Sequence, residues 1–449
     1  MFAFRFSPFA TSLLRYFAIS LFLIVTTTHL FSQEILTLPQ ALRIGLQNNF
    51  SISLQKNAEQ IAKNNNTLGN AGFLPSIALT GVQTNTISTT HQQQFSGITK
   101  DVSNAQNNSL NAGVQLNWTL FDGMNMFVSK KMLGTMEDLG ENGTRIVFEE
   151  IVSDIILNYY GIVQLGKLVH VAQDAVDLSM QRKRIALAKL SLGSGSQLML
   201  LQSTVDLNAD STSLIRQINS LANTKADFNR LLARDVTTPF FIRDTIILNT
   251  AFQFDSLLHA ALLQNSSLIS ARLNQEIARL GVKEAQSNLY PSIGFNANYS
   301  YNLQNSATGF LQYNRSYGPS FGFNLSYNVF NGFNVTREIK NAKIYLNSGE
   351  VEVKDNEQEI HLSLVKLYND YRSNIEIVRM QLTNVNVAKE NVNIAFEKYK
   401  LGSINDVELR EIQQKLIDAE YQLILSSFDA KRAEIGLYQL SGQLLTIME

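Results

Sequence analysis

Side chains able to do covalent chemistry are few in this chain and far apart. The five histidines, His29, His91, His170, His259 and His361, match no metal-ligand spacing. There is no cysteine, which removes disulfides, thiolate catalysis and an N-terminal lipidation site together. Gly193-Ser194-Gly195-Ser196 lacks the preceding strand and the following Lys-Ser/Thr that a phosphate loop needs. Neighbouring acids such as Glu149-Glu150 read as solvated helix surface. The chain reads as a non-enzyme without metal or cofactor, and its information lies in its hydropathy pattern.

That pattern begins with an expected signal peptide at residues 1–32. Arg5 and Arg15 form its basic region and Tyr16 to Val25 its apolar run, with cleavage expected after Ser32. The run is too short to cross about 30 Å of hydrocarbon. No later stretch reaches 18 apolar residues, which excludes a transmembrane helix but leaves barrel strands open, since these hide their apolar face in alternation. The remainder is slightly acidic and offers nucleic acid no basic footprint.

The chain is a tandem duplication. Residues 46–77 align without gaps to 262–293, including Leu46/Leu262, Asn49/Asn265, Ser51/Ser267, Ile61/Ile277, Ala62/Ala278 and a shared Pro-Ser-Ile. Phe121-Asp122-Gly123 returns as Phe330-Asn331-Gly332, Tyr159 as Tyr368, and Leu192-Gly193-Ser194 as Leu401-Gly402-Ser403. Repeat 1 is placed at 33–234, a joint at 235–251 and repeat 2 at 252–449. Proline is absent from 124–232 and 332–449, where apolar residues recur at near 3.5 spacing, so these runs are expected as helices. The long ones, 124–192 and 333–401, would each extend about 100 Å. Shorter helices are expected near 35–72 and 196–232, with Gly134, Gly140 and Gly143 as a weak point in the first long helix. The shorter helices can pair alongside a long one, as in a coiled bundle.

Four strands are expected, near 76–88, 109–121, 292–303 and 319–330. In the second, Leu110, Ala112, Val114, Leu116, Trp118 and Leu120 alternate with uncharged polar residues; Ile293 to Leu303 and Phe321 to Val329 do the same. Only the first strand is ambiguous. The strand lengths suit a tilted membrane crossing, and Trp118, Tyr299, Tyr301 and Tyr327 suit interfacial girdles. Four strands cannot close a barrel, and lipid tolerates no open edge, so the chain is expected to oligomerise. The polar segments 91–109 and 304–318 are expected as outward loops.

The order of elements, the duplication, the Phe-Asp/Asn-Gly strand exits and the Tyr399-Lys400-Leu401-Gly402-Ser403 turn resemble the outer membrane factor family, the TolC-like efflux ducts. The resemblance covers about residues 35–443. It implies a mainly helical fold whose homotrimer forms a twelve-stranded outer-membrane barrel, continued by a periplasmic helical barrel. It also implies docking by a periplasmic adaptor and an inner-membrane pump of RND or ABC type. The exits Phe121, Asp122, Gly123, Phe330, Asn331 and Gly332 would then be barrel-to-tunnel junctions. The turns Leu192, Gly193, Ser194, Leu401, Gly402 and Ser403 would be adaptor-docking tips. By the family's pattern, Glu408 and Glu411 fall where acidic residues narrow the periplasmic end, and could raise their own pKa values by mutual repulsion. Met199 and Gln202 stand at the equivalent places in repeat 1. Tyr399 matches a tyrosine that ties that end shut, but Ile404 replaces its arginine partner. The competing reading is a periplasmic or surface coiled-coil structural or adhesion protein, which leaves the lipid-compatible strands without a reason.

Overall fold

The computed structural model describes residues 34–448, apart from 94, 250, 309 and 310; the signal-peptide segment lies outside the described residues. In chain order the elements are β1 (Glu34–Ile35), α1 (Leu38–Asn48), α2 (Phe50–Asn65), β2 (Ser76–Gln93), β3 (Thr99–Asp122), α3 (Asn125–Ser191) and α4 (Gln197–Leu231). Then follow β4 (Phe240–Phe241), α5 (Phe254–Gln264), α6 (Ser266–Ser287), β5 (Ser292–Ser306), β6 (Tyr313–Ser326), α7 (Asn334–Lys400), α8 (Asp406–Leu440) and a closing 3-10 turn. Two compact units result. One holds the described residues up to Gln47 with Asp154–Leu248 and Ser373–Arg432; the other holds Asn48–Ser153, Asn249–Arg372 and the residues from Ala433.

In the sheet-bearing unit, four antiparallel strands lie in the order β2-β3-β5-β6. Their register merges the separate alternations into one apolar face. Leu110, Ala112, Val114, Leu116 and Trp118 stand opposite Leu303, Tyr301, Tyr299, Ala297 and Phe295. Phe295 and Ala297 in turn face Phe323 and Phe321. Ile77 and Leu79 join the same rows through Leu116 and Val114, which settles the face of the first strand. The opposite face is polar, with Asn296 donating to Asn324 at 2.9 Å and Ser320 donating to Asn298 at 2.9 Å. A period of exactly two residues makes this all-or-none, because a one-residue slip would invert every side chain.

The strands run beyond the expected bounds. β2 and β3 continue to Gln93 and from Thr99, taking in most of the segment expected as loop; β6 begins early, at Tyr313, but ends at Ser326, short of the expected 330. Backbone pairing continues there without an apolar face, so hydropathy could not mark it. Above the bulge between Ser88 and Thr90, β2 and β3 form a two-stranded ribbon that β5, paired with β3 only from Asn107 onward, does not reach.

The helix expected over 35–72 is two helices. Asn49 takes an extended ψ of 131° between α1 and α2, and its side chain accepts from Ser51 N–H at 2.8 Å. Asn265 breaks α5 from α6 in the same way: its own N–H closes α5 on the Ala261 carbonyl, while Oδ1 accepts from Leu268 N–H at 3.1 Å. A capping asparagine competes with the helix ladder, an effect that apolar spacing does not register. The glycines expected to weaken the first long helix do not break it, and at one of them the packing is close: a Cβ on Gly140 would stand 3.2 Å from Ala62 Cβ, a tight approach of α3 to α2. α3 is continuous.

In the other unit, β1 and β4 form a short parallel pair. The joint is pinned down: Lys225 Nζ donates to the Phe240 carbonyl, Lys431 Nζ to the Ile247 carbonyl, and Tyr159 Oη to Asp244. In the core beneath it, Tyr159 packs edge-on against Phe228, and Phe228 lies tilted against Phe240.

Replacing Asn265 with Ala removes both the α6 cap and the bond from Asn265 Nδ2 to the Leu440 carbonyl. It should cost about 1–2 kcal/mol, read as a lowered thermal midpoint of the purified protein.

Candidate functional site

Two regions of the chain hold the residues singled out in the sequence. The first is where strands become helices. Asp122 caps the start of α3, accepting from Met126 N–H at 3.2 Å, while Asn331 accepts through its carbonyl from Asn334 Nδ2 at 2.7 Å. Gly123 and Gly332 both take left-handed φ, +70° and +66°, and each is followed by a second left-handed residue, Met124 or Phe333. The repeats then differ. A Cβ on Gly123 would lie 2.3 Å from the Ser287 carbonyl oxygen, whereas on Gly332 it would meet only the tip of Asn334 at 4.0 Å.

Trp118 donates to the Phe73 carbonyl at 2.9 Å and lies near the helix end of β3. Tyr327 follows the last residue of β6, and Tyr299 and Tyr301 lie within β5. Phe121 and Phe330 occupy the exits, Phe330 edge-on to Phe333 at 5.3 Å.

The second region, in the other unit, is the pair of helix hairpins. Gly193 (φ +71°) and Gly402 (φ +74°) end their helices, with Ser194 and Ser403 N–H donating back to the carbonyls of Lys189 and Lys398. This is the glycine-terminated helix end that a left-handed residue makes possible. Leu192 and Leu401 are each 81% exposed at the two turns. Ser196 and Asn405 then cap α4 and α8.

Glu408 and Glu411 line a cavity of about 630 Å³ together with Met199 and Gln202, so the repeat-equivalent pairs share one site. Glu411 is exposed and bonded to Lys415 at 2.7 Å, which holds its carboxyl below the usual value within a single chain.

Tyr399 is fully buried and donates to Asp406 at 3.2 Å. Burial, with Asp406 adding to it, pushes the phenol up to about 12, so it remains a neutral donor at physiological pH. Lys189 lies over its ring at 4.1 Å and donates to its carbonyl. The position of Ile404 supplies no arginine, but two others converge from elsewhere. Arg182 is completely buried, pairs with Asp206, and sets its Nε 3.2 Å from Asp406. Arg410 grips Asp210 with both terminal nitrogens, at 2.8 and 2.9 Å, and also donates to Ser179. Arg182, Asp206, Asp210, Asp406 and Arg410 went unread in the sequence. The available signal was charge at helix positions whose neighbours by heptad, such as Ala175 for Arg182 and Gln413 for Asp406, are buried.

Residues 257–443 match the family model described as Outer membrane efflux protein. The chain is 25% identical over 195 residues to Outer membrane protein TolC of Vibrio cholerae, covering 42% of this chain and 44% of that one. To TolC of Salmonella enteritidis it is 23% identical over 359 residues, covering 72% and 67%. In fold it is similar to the outer membrane protein VceC of Vibrio cholerae, at 13% identity, a TM-score of 0.74, and coverage of 90% and 96%. The second repeat carries an outer membrane efflux protein domain, and the resemblance read from the sequence holds. With it comes the location, the outer membrane. The chain thus spans less than half the length of the Vibrio cholerae TolC it matches.

Two contrasts test these sites. Gly332→Ala should cost about 1–2 kcal/mol through φ alone, while Gly123→Ala should cost markedly more because backbone must move, read as thermal midpoint and as yield in the membrane. Arg182→Met leaves buried Asp406 and half-buried Asp206 without their cation and should cost about 3–5 kcal/mol. Lys415→Gln, at an exposed pair, should change stability by less than about 0.5 kcal/mol.

Proposed function

We propose that this protein is the exit duct of a tripartite efflux or type I secretion system: a non-enzymatic channel in the outer membrane, opened when a periplasmic adaptor and an inner-membrane pump engage it. The observation that carries the reading is the four-stranded sheet with one apolar face and two unpaired edges, β2 and β6. In hydrocarbon, an unpaired strand edge costs several kcal/mol per backbone group, so such a sheet requires partners of its own kind. Eight strands are about the smallest closed barrel, and three copies supply twelve.

The helices support the same assembly. On α7, Met380, Val387 and Ile394 recur every seventh residue and are exposed, and on α4 so are Leu198, Leu201, Val205 and Ile215. Apolar rows of this spacing are seams awaiting another helix. The competing reading, a coiled-coil structural protein without a pore, would use such seams but gives the apolar face of the sheet no solvent.

In this reading the strand exits are the junctions between barrel and tunnel. The leucines and glycines of the two turns form the surface that the adaptor meets, and Glu408 with Glu411 forms an acidic ring on the axis. Carboxylates around a narrow axis favour cations.

Detergent-extracted protein should have the mass of a trimer and fractionate with outer membranes; a soluble periplasmic monomer would overturn the reading. In planar bilayers, Glu408→Gln combined with Glu411→Gln should weaken cation over anion selectivity. Unchanged selectivity would remove these residues from the constriction and leave the duct standing.

A further inference from the structure

Basic residues stand near the strand exits of both repeats, but those that open the long helix are held differently. Lys283 lies in the last turns of α6, which leads into β5, and Arg337, Lys340 and Lys343 lie in the first turns of α7, which follows β6. Their repeat-equivalents are Thr67, Val128, Lys131 and Gly134. The single cation in that second set, Lys131, is paired with Glu276. Lys130, beside it, donates to Asn66.

The second-repeat set is left unneutralised. Lys283, Arg337, Lys340 and Lys343 are all exposed. Among the described residues only Arg337 has an ionic partner, Glu338, at 3.7 Å and largely in solvent. α6 and α7 run antiparallel, with Arg272 bonded to Glu357 and Gly349 packed on Gln275. Continued toward the sheet, that register puts Lys283 and Lys343 at one level. Like charges so placed repel each other and favour any anion that settles among them.

The setting specifies the anion. Just before these cations the chain exposes Phe323, Leu325, Tyr327, Val329, Phe330 and Phe333, an apolar and aromatic run that ends as α7 begins. Aromatic residues followed by Lys and Arg are the order of a membrane interface read from hydrocarbon toward water. At 1.5 Å per residue, Arg337, Lys340 and Lys343 lie about 8, 12 and 16 Å beyond Gly332 along the helix. Helical side chains lean toward the N-terminus, here toward the sheet, and long cationic ones reach further, back into a headgroup layer some 5–8 Å deep.

We propose that Lys283, Arg337, Lys340 and Lys343 form a basic collar that binds the anionic phospholipid headgroups of the leaflet on the helical side of the barrel. The proposal rests on the strands being lodged in a bilayer. The collar adds selectivity for lipid charge, and its four members all come from the second repeat.

The chain supplies its own reporters, one tryptophan and no cysteine. Full-length protein carrying Asn341→Cys, labelled with a bimane fluorophore, is reconstituted into vesicles containing brominated phosphatidylglycerol or brominated phosphatidylcholine. Trp118 should be quenched by both lipids, since it reports only that the strands sit in lipid. The label at 341 should be quenched several-fold more effectively by the anionic lipid, by roughly five-fold for each cation engaged. High salt should bring that preference toward unity. So should the combined variant K283Q/R337Q/K340Q/K343Q, with Trp118 quenching unchanged.

Equal quenching of the label by the two lipids, or a preference that survives in the combined variant, overturns the collar while leaving the membrane reading intact. Absence of quenching at Trp118 by either lipid overturns the membrane reading and the collar with it.

Discussion

The structure depends on how backbone hydrogen bonds are satisfied where no water is available. A four-stranded sheet pairs its inner strands completely but leaves one side of β2 and one side of β6 without partners. Water would accommodate both edges; hydrocarbon does not. A chain that supplies four strands to a membrane therefore fixes its own need for other copies. On the reading proposed above, the exposed heptad rows of α4 and α7 would meet further copies as the sheet edges do. The duplication is the economical route to such a chain, because one helix-strand-strand-helix unit, made twice, doubles the contribution of each copy.

The two repeats have then diverged where the packing demanded it. Gly123 faces the Ser287 carbonyl at a distance that admits no side chain, while Gly332 faces open space. The break at Asn265 is also a tie to the end of α8 through the Leu440 carbonyl. In both repeats an asparagine resolves the same problem, a change of helix direction with its first N–H groups still to be bonded. The cations that open the long helices diverge too: Lys130 and Lys131 are bound to neighbours, while Lys340 and Lys343 are exposed without an ionic partner among the described residues.

At the hairpins, an apolar cluster of Ala395, Tyr399 and Leu409 lies beside a group of buried and half-buried charges. Arg182 and Arg410 each reach a carboxylate of α4, and Arg182 also lies against Asp406 of α8. Charges in so dry a place hold geometry more than they add stability, since desolvation offsets much of their attraction. Tyr399 adds a neutral hydroxyl to the same group and is covered by Lys189. The result is that within one chain the two hairpins meet through directional contacts, which a purely apolar seam would not provide.

Much of this was legible in the chain. The duplication, the bounds of the long helices, the glycine turns and the alternating strands are local signals, each set by a period or by one residue's backbone freedom. Where the signal is local but silent in hydropathy, as at Asn49 and in the polar extensions of β2 and β3, the element is real and its limits were missed. What tertiary structure alone decided is of another kind. Register placed Ile77 and Leu79 on the face shared with Trp118, and antiparallel packing brought Arg182 to Asp406, more than two hundred residues away. No period encodes such meetings. Side-chain spacing along one element fixes which face is apolar, but which two faces touch depends on how all the elements fill space together.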